Sequence, residues 1–438
     1  MKKFVVFIGL LLAAMFVLSA CGSDDAGGIR VSDGEEAEIT FRWWGGDARH
    51  NATLEAIALF EDRYPHITVN AEFGAFGGFL EQLTMDLAGG TEPDIVQSNF
   101  AWVHSLGNGQ NVFANHLYLP YLDLTEWSPE LRSFTTTADG QLSGVSHGIT
   151  GRVIIYSRDM LAQHGLSAFP ATFDEWIALG ERISADNTAI DTGANRYAFF
   201  PLGDQTLDIV LMTIILNEFN VNLQSDGRIL PTIDQVEYAF NVLGRMIDSG
   251  TIPTMQQQEA PHDATNPVWM QGRGGSVFEW VGNIGLPIGN FLDGNEADLG
   301  VALLPATRAG GTQNSMQRTS LVHAVTQASV ERGTHYIASY FLNWFYTDEG
   351  ALRLLGNQFG IPLSRTAARI SAEEGNTRGL QLAGLHLLEA NVGDMCHLFE
   401  DPSLRDPRFF AIDAFRYGQM NARQAAEHWV NEQQAALR

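Results

Sequence analysis

Between Ile39 and Val96 the chain switches its apolar period from strand to helix and back, twice over. Ile39, Phe41 and Trp43 alternate with Thr40, Arg42 and Trp44, the two-residue period of a strand. Gly45-Gly46-Asp47 then turns the chain. Leu54, Ile57 and Ala58 keep helical spacing until Tyr64-Pro65, where the proline ring cannot continue a helix. Ile67, Val69, Ala71 and Phe73 alternate again. A glycine-rich turn from Gly74 to Gly78 leads to Leu80, Leu83 and Leu87 on one helical face. Gly89-Gly90-Thr91-Glu92-Pro93 breaks that helix, and Asp94-Ile95-Val96 opens a third strand. Strand, helix, strand, helix, strand in so short a stretch predicts an α/β fold with a parallel sheet and right-handed crossovers. Ligands of open α/β sheets bind beyond the carboxyl ends of the strands. That gathers Trp43-Trp44, Phe76 and Asn99 to Trp102 on one rim.

The rhythm continues. Val153 to Tyr156 reads as a strand, and Thr172-x-x-Glu175 and Thr232-x-x-Gln235 read as capping boxes opening helices. Gly275 to Phe278 and Gly300 to Leu304 read as strands, and from Thr334 the pattern is mostly helical. A chain of 438 residues is long for one core, so two domains are expected.

The N-terminus carries a different signal. Lys2 and Lys3 precede an apolar run from Phe4 to Leu18, and Ser19-Ala20-Cys21 follows. A basic start, a short apolar core and small residues describe a secretory signal. The run falls short of the ~20 apolar residues that span a bilayer. Small residues immediately before Cys21 resemble a bacterial lipobox, in which cleavage precedes a cysteine whose sulfur carries lipid. Residues 1–20 are therefore expected to be a signal peptide, Cys21 the lipidation site, and 21–37 a Gly/Ser/Asp/Glu-rich tether. The alternative is an ordinary signal in which Cys21 is incidental. With Cys21 acylated, Cys396 has no cysteine to pair with.

The formal net charge is −25, and no lysine follows Lys3. Phosphate contacts need clustered cations, so nucleic-acid binding is excluded. The twelve histidines are dispersed and no His-Glu-x-x-His is present, so neither a metal nor any other cofactor is expected.

The order of motifs brings a family into view. Phe60-Glu61-x-x-Tyr64-Pro65-x-Ile67-x-Val69 resembles the opening of bacterial extracellular solute-binding proteins, the sugar-binding components of ABC importers. Leu87-Ala88-Gly89-Gly90-Thr91-Glu92-Pro93-Asp94-Ile95 is similar to theirs, as are Gly165-Leu166, Pro170-Ala171-Thr172-Phe173-Asp174-Glu175-Trp176 and Thr347-Asp348-Glu349-Gly350. Trp43-Trp44-Gly45-Gly46-x-x-Arg49-His50 resembles the oligogalacturonide and oligosaccharide branch. Phe76-Gly77-Gly78 and Asn99-Phe100-Ala101-Trp102 depart from that branch, which has Trp-Asp-Gly and Asn-Trp-x-Trp there.

The resemblance implies a two-lobed periplasmic-binding-protein-like fold, each lobe a mainly parallel sheet flanked by helices, with the ligand in the cleft between lobes. It implies crossings near 147–150, 301–305 and 345–351. The N-terminal lobe is then 38–148 plus 305–347, and the C-terminal lobe 149–304 plus 348–438. It also implies an oligosaccharide ligand, the transmembrane subunits of an ABC permease as partners, a monomer, and a lipid-anchored place at the cell envelope. The net negative charge and the departure at Phe76-Gly77 favour a neutral sugar, the Trp43-Trp44-Gly45-Gly46-x-x-Arg49 resemblance favours a uronate, and both stay open.

Candidate ligand-binding residues follow from both arguments. Trp43 and Trp44 point to opposite faces, so one of them meets ligand and the other packs in the core. Phe76 and Trp102 offer further aromatic faces, and Asn99 a polar group. Asp47 is either a helix N-cap or a ligand contact. Arg49 opposes the dipole at its helix start, which suggests either a bound carboxylate or a salt bridge. Arg152 and Arg318 are hydroxyl or carboxylate donors, or bridges between lobes. Trp280, after Gly275-Ser276-Val277-Phe278-Glu279, resembles the cleft tryptophan of the family. Gly144-Val145-Ser146-His147-Gly148 matches the nucleophile elbow of hydrolases, but a strand pattern follows where the elbow needs a helix. A lipid-anchored surface hydrolase acting on polysaccharide or ester is therefore the rival reading.

Overall fold

The computed structural model describes residues 34–107, 111–189, 195–203, 205–222, 224–225, 228–258, 260–261, 263–362 and 364–438. The expected signal, Cys21 and most of the expected tether lie outside them. Among the described residues no helix is long and apolar enough to cross a membrane.

The first stretch forms β1 (Ala37–Trp44), α1 (Asp47–Arg63), β2 (Ile67–Gly74), α2 (Phe79–Gly89), β3 (Ile95–Asn99) and α3 (Phe100–Gly107). β1 pairs in parallel with β2 and β3, as the alternating rhythm requires. The chain continues through β4 (Val145–Ser146), β5 (Ile149–Ser157), α4 (Phe173–Ala189), α5 (Gln205–Phe219), α6 (Ile233–Asp248), β6 (Ser276–Trp280), β7 (Leu299–Ala302), β8 (Ser315–Thr319) and β9 (Leu321–Val325). It ends with α7 (His335–Thr347), α8 (Glu349–Leu355), α9 (Arg365–Glu373), α10 (Gly379–Ala390), β10 (Val392–Asp394), α11 (Pro402–Arg416) and α12 (Ala422–Ala436). The capping box at Thr232 and Gln235 forms with both of its hydrogen bonds and opens α6.

Two sheets result. The first runs β2-β1-β3-β9-β4, the second β10-β8-β5-β6, with β7 also on β5. The expectation of mainly parallel sheets holds for β2-β1-β3. It does not hold for the second sheet, where β5 is antiparallel to β6, β7 and β8. The lobe boundaries also differ from expectation. β8 pairs β5 and β10 while β9 pairs β3 and β4, so the chain returns to the first lobe at Ser320, not at 301–305. Residues 315–325 form one extended run shared between two sheets, and periodicity alone cannot reveal such a handover. α8 packs on α1, and α9 on α7 and α8, so the last crossing follows α9 rather than falling at 345–351.

The crossings meet closely. The Ser320 amide donates to the Gly148 carbonyl at 2.6 Å, and Gly148 forms a bridge with Pro362. A Cβ at Gly148 would collide with the Ile361 carbonyl oxygen, so only glycine fits there. Ser146 is buried beside this junction, with its hydroxyl donating to the Gly148 carbonyl at 2.8 Å. A strand follows it, and nothing there resembles an exposed nucleophile.

Three fully buried histidines face this lobe's interior. His116 donates through Nδ1 to the Ala114 carbonyl at 2.8 Å and accepts at Nε2 from the Val325 amide at 3.0 Å, which fixes a neutral tautomer. Burial pushes its pKa down to about 4. Burial, with Arg49 nearby, pushes His147 down to about 3. Burial, with His147 and Arg49, holds His323 well below its ordinary value. In the unfolded chain histidine binds its proton near pH 6.5, so below that pH the unfolded state takes up more protons and stability falls. We expect a loss of about 1.4 kcal/mol per pH unit per histidine below pH ~6.5, and no loss from these groups above it. Urea midpoints at pH 7 and pH 5 measure this; equal midpoints would contradict it.

Candidate ligand site in the interlobe cleft

The end of β1 builds one wall. Strand alternation splits its two tryptophans. Trp43 is fully buried in the first lobe's core, stacked on Phe73 with centroids 5.1 Å apart, and its Nε1 donates to His50 Nδ1 at 3.1 Å. Trp44 points the other way, among Phe79, Trp102 and Phe76 at 4.7, 5.3 and 5.6 Å. Phe76 lies nearly parallel to Trp102, at 8° and 5.6 Å, and remains 57% exposed at the lip. Gly78 adopts φ 78°, a left-handed turn that lets the backbone border the cavity before α2 begins.

The facing wall is polar. Asn99 accepts at Oδ1 from the Ala101 amide at 2.9 Å, and its Nδ2 donates to Glu400 Oε2 at 2.6 Å. The other Glu400 oxygen lies 3.0 Å from Arg318 Nε. Asn99 belongs to the first lobe, Glu400 and Arg318 to the second, so this chain of contacts spans the cleft. The Arg318 and Arg152 guanidinium carbons lie 4.6 and 4.8 Å from the Trp280 ring centre. Arg152 donates to Thr206 Oγ1 at 3.0 Å and to the Phe278 carbonyl at 3.1 Å. Burial lowers its pKa, against the pull of Glu279.

Between the walls is a cavity of about 480 Å³. Trp44, Phe76, Asn99 and Trp102 line it from the first lobe, and Gln205, Arg318, Glu400 and Arg405 from the second. Aromatic faces on one side and hydrogen-bonding groups on the other suit a ligand with apolar faces and a hydroxyl rim.

Five of the residues expected from sequence therefore come together: Trp44, Phe76, Asn99, Trp102 and Arg318. Trp280 and Arg152 form a layer against Arg318 rather than the cavity wall. Trp43, Asp47 and Arg49 lie away from it. Trp43 faces the core because alternation allows only one of the pair outward. Asp47 is exposed in the first turn of α1, and Gly46 takes the N-cap position expected for it. Arg49 donates to the carbonyls of Trp44 and Gln358 at 2.8 and 2.7 Å, and burial lowers its pKa to about 10. Two carbonyls thus take the place of the carboxylate suggested by its position.

Sequence reasoning missed Glu400, Arg405 and Gln205. One signal was present. Asp401-Pro402 is a helix start, with the Asp401 side chain accepting from the Ser403 amide at 2.9 Å. The residue just before that cap is Glu400.

A model of the bacterial extracellular solute-binding protein family matches residues 47–352. The chain belongs to that family. This solute-binding protein is 26% identical over 275 residues to a protein of Brucella abortus (strain 2308) named as a binding protein. That match spans 61% of each chain, so the alignment covers about three fifths of this curated relative's length. It is 27% identical over 216 residues to the diacetylchitobiose binding protein of Streptomyces coelicolor, covering 46% of this chain and 48% of the other. Among solved structures it is similar to a periplasmic oligogalacturonide binding protein of Yersinia enterocolitica, with TM-score 0.79 and 22% identity over 92% of this chain and 100% of that one. A periplasmic solute binding protein of Pectobacterium atrosepticum gives TM-score 0.80 and 22% identity over 92% and 98%. At such identity these structures establish the two-lobed fold that the solute-binding protein shares with them.

Proposed function

We propose that this solute-binding protein captures a neutral oligosaccharide between its lobes and delivers it, as a monomer, to the transmembrane subunits of an ABC permease. One arrangement carries the reading: an aromatic wall on the first lobe faces a hydrogen-bonding wall on the second, across a cavity lined by both. Pyranose rings match such walls with C–H faces and hydroxyl rims. The arginines that could receive a uronate are engaged. Arg318 faces Glu400 and Arg405 faces Asp406. Arg49 is held by carbonyls, and Arg152 by a carbonyl and a hydroxyl. A uronate would compete with Glu400 for its cation, whereas a neutral sugar leaves that pair intact. A maltooligosaccharide ABC transporter lipoprotein of Streptococcus pneumoniae and the diacetylchitobiose protein support a neutral ligand by their names. The oligogalacturonide relative supports the other choice.

A ligand that binds only the folded state raises its melting temperature. We expect neutral oligosaccharides to raise it and galacturonides to leave it unchanged. A shift with galacturonides alone would overturn the neutral reading, and release of cleaved product would restore the hydrolase.

Export and anchoring complete the proposal. Cys21 carries the lipid, 22–36 is the tether, and the protein is held at the outer face of the cytoplasmic membrane or in the periplasm. Cys21→Ser is expected to release the protein from membranes or to block processing. A normally cleaved mutant that stays in the membrane fraction would defeat the anchor.

A further inference from the structure

The cleft is not the sole cavity in the second lobe. A separate space of about 250 Å³ is lined by Leu207 of α5, Met255 and Gln258 of the segment after α6, and Phe409, Ile412, Asp413 and Arg416 of α11. It shares two helices with the cleft. α11 contributes Pro402 and Arg405 to the cleft cavity, then Phe409, Ile412 and Arg416 to the second. Steps of three and four residues place these side chains on one face of the helix. The start of α5 also serves both, with Gln205 in the cleft cavity and Leu207 in the second. At the seam the Arg405 guanidinium lies 5.5 Å from the centre of the Phe409 ring, so a residue of one cavity rests on a residue of the other.

The chemistry repeats as well. Phe409, Leu207, Met255 and Ile412 supply apolar surface. Arg416, hydrogen-bonded to Gln258, supplies polar groups at the far end. An aromatic and aliphatic floor with an arginine and an amide at its edge suits a sugar ring, as the cleft does. From Arg405 to Arg416 the helix rises roughly 16 Å, longer than a disaccharide.

We propose that the second cavity is a distal subsite that takes sugar units beyond those held in the cleft. The ligand is then an oligosaccharide longer than a disaccharide, laid along one face of α11. This rests on the oligosaccharide reading above, and the experiment separates the two.

Calorimetry on the full chain would use three series, each from disaccharide to hexasaccharide: α-1,4-linked glucose, β-1,4-linked N-acetylglucosamine and α-1,4-linked galacturonic acid. In the series that binds, affinity is expected to rise at least tenfold between the disaccharide and the pentasaccharide. Met255→Trp, which fills the cavity from a partly exposed position, and Arg416→Ala, which removes its polar end, should both bring the longer sugars to the affinity of the disaccharide. Binding independent of length, or a gain with length that survives in both variants, overturns the distal subsite and leaves the oligosaccharide reading standing. Silence of all three series defeats the oligosaccharide reading and the subsite with it.

Discussion

Asp208→Ala is expected to remove about 3–5 kcal/mol of folding stability, the largest effect of any single substitution considered for this chain. Asp208 and Arg408 are both fully buried in the second lobe. Arg408 Nε reaches both carboxylate oxygens, at 2.9 and 3.1 Å. Its other nitrogens donate to the Leu404 carbonyl at 3.1 Å and to the Phe399 carbonyl. Burial raises the Asp208 pKa and Arg408 opposes that shift. Truncating one partner leaves the other charge stranded away from water, which is why the single change costs so much. Removing both charges in Asp208→Ala/Arg408→Met should cost less than the sum of the single variants. Urea unfolding measures this, and a single variant within about 1 kcal/mol of wild type would show that the pair contributes little. The pair also positions the cleft, because the carbonyl gripped by Arg408 belongs to the residue preceding Glu400.

Trp102→Ala is expected to weaken sugar binding by about 2–3 kcal/mol, roughly 30- to 150-fold, because it removes the central ring of the aromatic wall. Trp102 stacks on Phe76 and packs on Trp44, so the substitution opens the platform from beneath. Trp43→Phe provides the contrast. Trp43 is enclosed in the first lobe's core, so this change should lower stability and leave affinity within about twofold. Calorimetry on both variants, with circular dichroism to confirm folding, distinguishes the two tryptophans. Wild-type affinity in folded Trp102→Ala would remove the aromatic wall from the ligand site.

That contrast marks what was legible in the sequence. Strand alternation alone sends the paired indoles of β1 to opposite faces, and the glycine-rich turn after β2 brings Phe76 to the same rim. The strand-end rule placed Asn99 and Trp102 beside them for the same local reason. The other wall was far less legible. Glu400 reaches the cleft because Asp208 anchors Arg408, 200 residues further along the chain, and Arg408 holds the turn before α11. No local period encodes that contact. Arg318 was found on residue type, but its carboxylate partner was not. The misplaced lobe boundary has a similar origin, since Ser320 alone separates Ser315–Thr319 from Leu321–Val325 while the two strands serve different sheets.

The same handover governs the order in which the chain can fold as it is made. β9 fills the gap between β3 and β4, with Val325 opposite Ile95 and Val322 opposite Ser146. The first sheet therefore cannot close when its opening strands emerge from the ribosome. It waits for the whole of β5 to β8 to be synthesised, and residues as far apart as Ile95 and Val325 must then find each other. Pairings of such long separation are slow. A nascent chain of this design stays incompletely folded through most of its synthesis, which is the condition a polypeptide needs if it is to be threaded through a membrane channel before it sets.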